Sequence, residues 1–263
     1  LDEMLQADNS PEQLEALQQA KQELYRGQCN CAYWHGAFGG LYLPHLRDAI
    51  YRHLIAADTA LEVAAQRTNR WTQIDAADFN FDARKEIRIA GERLVAYLAP
   101  SRGGHLYELD IRNTRHNLLA TLNRRPEPYH QKVREVGQRQ RDGGDDNENN
   151  VASIHDMVRF KQPDLDKKLT YDNWPRKALV DHFLQPGLSL ESFQAGGGEL
   201  GDFVTGVYES RLRRSAEWVE ASMTRDGNVG PYHHVRVEKT VRLDSSRAGQ
   251  LKIVYQLSNL PLN

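Results

Sequence analysis

The chain has 263 residues, of which 40% are hydrophobic and 27% are charged, and this composition is ordinary for a globular protein with a sizeable core. Its 34 Lys and Arg residues nearly balance 36 Asp and Glu residues, so the formal charge is only −2. This balance gives no electrostatic reason to expect nucleic acid or an anionic membrane as partner. No apolar run in these residues approaches the ~20 residues that a membrane-spanning helix requires.

Residues 1–67 predict a small helical domain. Ser10 followed by Pro11 is typical of a helix start, and Gly27 is a natural stop. A second helix is predicted from LYLPHLRDAIYRHLIAADTALEVAA, because its apolar residues keep the 3.6-residue spacing. The segment QCNCAYWHGAFGG is therefore the connection between two helices, and its glycines allow the backbone to turn tightly.

After about Arg70 the apolar period changes to two, which predicts strands. The predicted strands are EIRIAG, RLVAYLAP, HLYELDIR, NLLATLN, FVTGVYESRLRR, EWVEASMTRDG, HHVRVEKTVRL and LKIVYQL, with a turn expected at Asp226–Gly227. We therefore expect an α+β multi-domain protein in which residues 68–263 form a mostly antiparallel β-sandwich. The segment REVGQRQRDGGDDNENN predicts a flexible loop at about 134–152, since it is charged and almost free of apolar residues.

The ends of the chain suggest a part of a longer polypeptide. The chain opens on Leu1 without a methionine, and it stops at Asn263 just after a predicted strand. A strand at a terminus with an uncovered edge is an aggregation hazard. We therefore expect a fragment whose sandwich is truncated at the carboxy end.

The cysteines Cys29 and Cys31 are separated by one residue. Such close neighbours rarely meet disulfide geometry, so the pair gives no evidence for an oxidising compartment, and the cytoplasm is the default expectation. A structural zinc site typically needs four ligands, and Cys29, Cys31 and His35 give at most three. We predict no metal and no cofactor, while a Cys–His nucleophilic pair and a Cys-x-Cys redox or metal protein stay open as alternatives.

Acid/base chemistry on sugars needs two carboxyl groups at a defined separation. Glu108 and Asp110 share one face of a predicted strand, although a solvated or cross-strand-paired face is the commoner outcome. Asp172, Asp181 and His182 either cap local structure or contribute to a site.

The residues Tyr33, Trp34 and His35 suggest a ligand platform. An aromatic face stacks on the apolar face of a sugar ring, and an imidazole hydrogen-bonds sugar hydroxyls. The alternative interpretation is that Trp34 and Phe38 fill the junction between the two helices.

Taken together, these motifs resemble a known family. The string QCNCAYWHGAFGGLYLPHLRDAIYRHLI resembles the segment that follows the catalytic barrel in glycoside hydrolase family 57, the α-amylase and 4-α-glucanotransferase branch. The stretches GGHLYELDIRNTRHNLLATLNRRPEPYH, SIHDMVRFKQPDL, YDNWPRKALVDHFL and VRVEKTVRL reinforce the resemblance. The resemblance covers nearly the whole chain except the loop at 134–150.

The resemblance implies a retaining α-glucan hydrolase or transferase with three parts. In that family an amino-terminal (β/α)7 barrel carries the glutamate nucleophile and the aspartate acid/base. A helical domain and a β-sandwich of galactose-mutarotase-like type follow the barrel. These residues contain no barrel, so no catalytic residue is assigned, and the barrel itself becomes an expected partner.

The resemblance also implies substrate contacts, with α-1,4-glucans or maltooligosaccharides as ligands. The family's cleft tryptophan matches Trp34, His35 follows it, and Tyr33 and Asn30 belong to the same string. Some members carry Asp after this asparagine, whereas Cys31 stands there in this chain. A free-standing carbohydrate-binding or mutarotase-like sandwich is the alternative function, although it gives the helical start no role.

Overall fold

The computed structural model of the protein describes residues 1–35, 38–67, 69–141 and 164–260. Among these residues, no helix combines the length and the apolar character that crossing a bilayer requires. Most of the loop predicted at 134–152 and the stretch SIHDMVRFKQP lie outside the described residues.

The amino-terminal part is helical and the rest is mainly strand. The α-helices of the described residues are α1 (Asp2–Gln6), α2 (Pro11–Gly27), α3 (Pro44–Ala64), α4 (Pro128–Arg141) and α5 (Leu190–Gln194). Short 3-10 turns at Asn30–Ala32 and Gly40–Tyr42 lie between α2 and α3. The predicted order, helical first and antiparallel sheets after it, is confirmed.

Helix α2 begins where the sequence predicted. The Ser10 hydroxyl accepts from the Gln13 amide, and the Gln13 side chain accepts from the Ser10 amide, which completes a capping box. Helices α2 and α3 lie antiparallel, because Gln13 donates to the Ala64 carbonyl at one end while Gly27 contacts Leu54 at the other. A Cβ atom at position 27 would lie 2.7 Å from Leu54 Cδ2, so glycine permits the close approach of the helices.

Two antiparallel sheets follow the helices. The strands are β1 (Thr72–Ala77), β2 (Glu86–Gly91), β3 (Leu94–Ala99), β4 (His105–Ile111), β5 (His116–Asn117), β6 (Glu209–Arg214), β7 (Trp218–Val229), β8 (Tyr232–Asp244) and β9 (Leu251–Ser258). The first sheet has the order β1-β2-β3-β4-β5, and the second has the order β6-β7-β8-β9.

One hydrophobic core joins the two sheets into a sandwich. Ile74, Ile89 and Leu98 from the first sheet pack in the same buried cluster as Met223 and Val241 from the second. On β7 and β8, alternate residues such as Val219, Ala221 and Met223 and Val235, Val237 and Val241 face this core, as the period of two requires. The galactose-mutarotase-like type of the sandwich stays a prediction.

Helix α3 covers the outer face of the first sheet. Arg88 on β2 donates to both carboxylate oxygens of Asp58 at 3.0 and 3.1 Å and to Glu62 at 3.2 Å. Arg112, which follows β4, lies 2.8 Å from the same Asp58 carboxylate. Charged contacts therefore attach the helical part to the sandwich.

Several predicted boundaries were wrong. The segment NLLATLN contributes only Asn117 to β5, and the residues after it form no strand. Residues 134–141, which were predicted to be loop, belong to α4. Strand β7 continues through Asp226–Gly227 to Val229, so the turn comes afterwards, at Gly230–Pro231. Strand β1 was missed, since its apolar residues are mostly alanine.

Candidate functional site

The loop between α2 and α3 carries the four predicted sugar-binding residues. Asn30 opens the first 3-10 turn, and Tyr33, Trp34 and His35 follow it directly. The Tyr33 hydroxyl donates to the Gly27 carbonyl at 2.5 Å, which ties the loop to the end of α2. The Leu41 amide donates to the Trp34 carbonyl at 2.8 Å and closes the loop at its other end.

Two glycines make this closure possible. Gly39 and Gly40 have φ values of 107° and 46°, in the region that side chains rarely adopt. A Cβ atom at Gly40 would lie 2.0 Å from the Trp34 carbonyl oxygen. The chain therefore passes directly against the backbone of Trp34 only because position 40 has no side chain.

The aromatic side chains of this loop are exposed. Tyr33 is 56% exposed, Trp34 is 49% exposed and Phe38 is 93% exposed. The interpretation that Trp34 and Phe38 fill the helix junction is therefore wrong. Large aromatic groups that cluster on a surface are the usual mark of an interaction site.

The exposed rings continue from the helical part onto the sandwich part. The Trp34 and His35 ring centroids are 5.3 Å apart, and the His35 and Tyr129 centroids are 5.8 Å apart. We call Tyr33, Trp34, His35, Phe38 and Tyr129 the aromatic surface.

A charged acceptor lies beside the aromatic surface. The Tyr42 hydroxyl and Arg125 both donate to Glu127, and these two hydrogen bonds lower the pKa of the Glu127 carboxyl. Glu127 is therefore ionised at neutral pH. Planar aromatic rings can stack on the apolar face of a sugar ring, and an ionised carboxylate can accept hydrogen bonds from its hydroxyls.

The cysteines of the same loop are exposed and not joined by a disulfide. Over the described residues, no three His, Cys, Asp or Glu side chains come together in a way that could hold a metal ion. Cys31 therefore presents an exposed thiol on the same loop as Tyr33 and Trp34.

Glu108 and Asp110 do not form a solvated face. Helix α3 covers this side of the sheet, and Asp110 is 6% exposed, with its Oδ1 atom lacking a hydrogen-bond partner among the described residues. Burial, and then the neighbouring Glu108 carboxyl, raise the pKa of Asp110, while burial raises that of Glu108. The pair lies between helix and sheet, away from the aromatic surface.

Asp181 belongs to a buried polar network. Its carboxylate lies 2.6 Å from Lys239 Nζ and accepts from the hydroxyls of Tyr208 at 2.5 Å and Tyr255 at 3.0 Å. Lys239 is fully buried, and its ammonium also donates to the carbonyls of Gly103 and Leu179. Asp181 therefore joins the segment after β5 to the second sheet, which is a structural role.

Asp172 and His182 line one open cavity with Trp174 and Phe193, and Asp181 is not part of its lining. The sequence analysis named Asp172, His182 and Asp181 together and did not predict that Asp181 has different surroundings. It also missed Trp174 and Phe193, although Trp174 stands inside the quoted string YDNWPRKALVDHFL. One signal in the sequence could have indicated Trp174. It stands between Asp172 and Arg176, an acidic and a basic residue spaced closely enough to form an ion pair.

Comparison with known proteins gives a consistent result. The model of the family "Alpha-amylase/4-alpha-glucanotransferase, middle domain" matches residues 2–61, and the model of the corresponding C-terminal domain matches residues 78–263. The 4-alpha-glucanotransferase of Thermococcus kodakarensis is 38% identical over 226 residues, which are 86% of this chain and 32% of that protein. The alpha-amylase of Pyrococcus abyssi is 38% identical over 72% of this chain and 27% of its own length.

A solved structure shares the fold. The crystal structure of 4-alpha-glucanotransferase from Thermococcus litoralis superposes with a TM-score of 0.64 at 27% identity, and the match covers 89% of this chain and 33% of that one. The chain thus spans about a third of the length of the relatives it matches.

Proposed function

The chain belongs to the alpha-amylase/4-alpha-glucanotransferase family, and we propose that it supports a catalytic barrel and contributes sugar contacts in an α-glucan-active hydrolase or 4-α-glucanotransferase. It matches the non-catalytic domains of such enzymes. We propose the division into a helical domain at residues 1–67 and a sandwich domain at residues 68–263.

The single observation that carries this proposal is the exposure of the aromatic surface. Trp34 and Tyr33 are about half exposed although the loop around them is closed by backbone hydrogen bonds and by Gly40. A preformed loop that presents its largest rings to solvent is organised for contact with something outside the described residues. An α-1,4-glucan in the cleft of a barrel is the occupant that the family supports.

Individual roles follow from the chemistry of the side chains. Trp34 provides the stacking platform, and its edge-on neighbour His35 provides a hydrogen-bonding group beside it. The Tyr33 hydroxyl is engaged with Gly27, so its ring contributes surface and not a free donor. The Asn30 amide is the polar contact that remains on this turn, because Cys31 cannot replace a carboxylate as an acceptor.

The ligand and the location are part of the same proposal. Maltooligosaccharides and starch are the expected substrates of the complete enzyme, and the barrel is the expected intramolecular partner. A cytoplasmic location stays a prediction. The alternative, a free-standing carbohydrate-binding or mutarotase-like sandwich, leaves the match of residues 2–61 to a middle domain without a role.

Two measurements test the proposal. The purified 263-residue chain should release no reducing sugar from maltooligosaccharides or starch, because it lacks the barrel and its two carboxylates. The gene sequence upstream of Leu1 should encode a barrel with paired carboxylates. Steady hydrolysis by the chain alone, abolished by changing one of its own acidic residues, would show that the chain is itself the enzyme.

A further inference from the structure

An open cavity of about 510 Å³ lies in the sandwich part, between the segment 170–176 and helix α5. Its lining includes Trp174, His182 and Phe193 as well as Arg124, Asp172 and Arg176. We call it the Trp174 cavity. It shares no lining residue with the aromatic surface, and its volume is in the range of small-molecule sites.

One wall of the cavity consists of aromatic rings. The His182 ring meets Trp174 edge-on at 5.7 Å and Phe193 edge-on at 6.1 Å, so three rings follow one another. The indole Nε1 of Trp174 is buried while the residue as a whole is half-buried. The accessible part of this indole is therefore hydrocarbon, which is the surface that the apolar face of a sugar ring covers.

The lining also contains charged groups, which are Arg124, Arg176 and Asp172. Arg124 and Arg176 each place Nε 2.8 Å from a carboxylate oxygen of Asp172, whose side chain is nine-tenths buried. Burial alone would raise the pKa of Asp172, but the hydrogen bonds from Arg124 and Arg176 hold it at about 2. The carboxylate is therefore ionised and occupies the forks of both guanidinium groups.

A second carboxylate orients the imidazole. Glu199 accepts from His182 Nδ1 at 2.6 Å, and its other oxygen accepts from the amides of Phe183 and Gly201. With Nδ1 donating, Nε2 of the neutral ring is an acceptor. Arg124, Arg176 and Asp172 lie in the lining and Glu199 lies behind it, so these four groups together carry no net charge. Because Asp172 already occupies both guanidinium forks, the cavity favours a neutral ligand over an anion.

Gly196 and Asn173 also line the cavity, and their contact requires glycine at position 196. Gly196 has φ of +81°, and a Cβ atom there would lie 1.5 Å from Asn173 Nδ2. Asn173 donates to the Ala195 carbonyl at 3.3 Å, which connects the loop after α5 to the segment carrying Trp174. The cavity is therefore bounded by parts that are fixed to one another, as a preformed site requires.

We propose that the Trp174 cavity is a second carbohydrate site, which binds one or two glucosyl units of an α-glucan through residues that do not belong to the aromatic surface. Trp174 and Phe193 stack on the sugar, while the outward guanidinium hydrogens of Arg124 and Arg176 and Nε2 of His182 contact its hydroxyls. The cavity itself specifies a neutral polyhydroxylated ring, and the choice of an α-glucan rests on the proposed function.

Isothermal titration of the 263-residue chain with maltoheptaose tests this proposal. We expect saturable binding that Trp174→Ala weakens at least fivefold, since this change removes the largest aromatic ring of the lining. Phe193→Ala should weaken binding in the same direction. Because Phe193 lies on the five-residue α5 and is 37% exposed, this variant provides a reading even if Trp174→Ala fails to fold.

Two matched variants serve as controls. Trp218→Ala removes another half-buried tryptophan, which lies against Arg242 on the second sheet, and it should leave binding within twofold. Phe81→Ala removes an exposed aromatic side chain that belongs neither to the Trp174 cavity nor to the aromatic surface, and it should also leave binding within twofold.

Three results would overturn the second site. These are no binding of maltoheptaose, binding that is lost with Trp34→Ala but kept in Trp174→Ala, or binding of inorganic phosphate alone that depends on Arg124. The proposed function fails separately, if no barrel is encoded upstream. The titration with maltoheptaose would still test binding at the Trp174 cavity independently.

Discussion

Replacing Asp181 by Leu should destabilise the sandwich strongly. The Lys239 side chain is fully buried and that of Asp181 is 9% exposed, so the change leaves an ammonium group without its counter-charge in the core. Breaking a buried pair in this way typically costs about 3–5 kcal/mol. Tyr208 and Tyr255 lose their acceptor as well. For a chain of this size we expect the midpoint of thermal unfolding to fall by roughly 6–20 °C.

The double variant Asp181→Leu, Lys239→Met separates charge from shape. Removing both partners and leaving apolar groups of similar size should recover at least half of the loss, because no unpaired charge remains. Guanidinium unfolding of the wild type, both single variants and the double variant gives the coupling energy directly. A double variant as unstable as Asp181→Leu alone would mean that packing, and not the ion pair, maintains this region.

The pH dependence provides a second check on the same variant. Burial lowers the pKa of Lys239, and losing Asp181 removes the group that opposes this shift. A lysine with a depressed folded-state pKa binds fewer protons when folded than when unfolded, so its contribution to stability rises with pH up to the unfolded value near 10.5. The loss in free energy of unfolding caused by Asp181→Leu should therefore become smaller between pH 7 and pH 10. A loss that stays constant over this range refutes the assignment to an unpaired charge.

Three further predictions concern the carboxyl pair and the loop. Asp110→Asn should stabilise the protein more at pH 8 than at pH 5, by roughly 1–3 kcal/mol. The raised folded-state pKa of Asp110 makes wild-type stability fall as the pH rises above the pKa of the unfolded state. Thermal melts at both pH values check this, and an equal effect of the substitution at pH 5 and pH 8 would contradict it. Gly40→Ala should destabilise by about 1–3 kcal/mol and change the tryptophan fluorescence, since a side chain there meets the Trp34 carbonyl; an unchanged melt would disprove this loop geometry. The double change Cys29→Ser, Cys31→Ser should alter stability by no more than about 0.5 kcal/mol in urea titrations, because both thiols are exposed; a larger loss, accompanied by about one zinc per wild-type chain, would reveal a metal site.

Local rules explain why part of the fold was predictable. The capping box at Ser10 and the period of two in β2, β3, β7 and β8 follow from the chemistry of neighbouring residues, and both are present in the structure. These features require no knowledge of what packs against them. Strand β1 failed the same rule, because TQIDAA carries one large apolar residue and owes its state to pairing with β2.

The site residues show where local rules stop. The spacing of Glu108 and Asp110 fixes a shared face but not what covers it, and α3 covers it through contacts between residues about 50 positions apart in the chain. In the same way, the sequence places Trp34 in a helix connection without saying whether its ring is inside or outside. That outcome depends on Gly39 and Gly40, whose backbone closes the loop beneath the ring. Asp172 and Asp181 are not distinguished by their sequence context, but their surroundings differ. Asp172 pairs with two arginines at the cavity, whereas Asp181 pairs with the buried Lys239.

The most direct test of the proposed sugar contact is the kcat/KM of the enzyme in which this chain is joined to its catalytic barrel, measured on maltooligosaccharides with Trp34→Ala. Losing one stacking platform worth about 1–3 kcal/mol predicts a loss of roughly five- to hundredfold. Phe81→Ala, which removes another exposed aromatic side chain (91% exposed) from a different loop, should leave kcat/KM unchanged. A wild-type kcat/KM in the correctly folded Trp34→Ala enzyme would contradict a sugar-binding role for the aromatic surface.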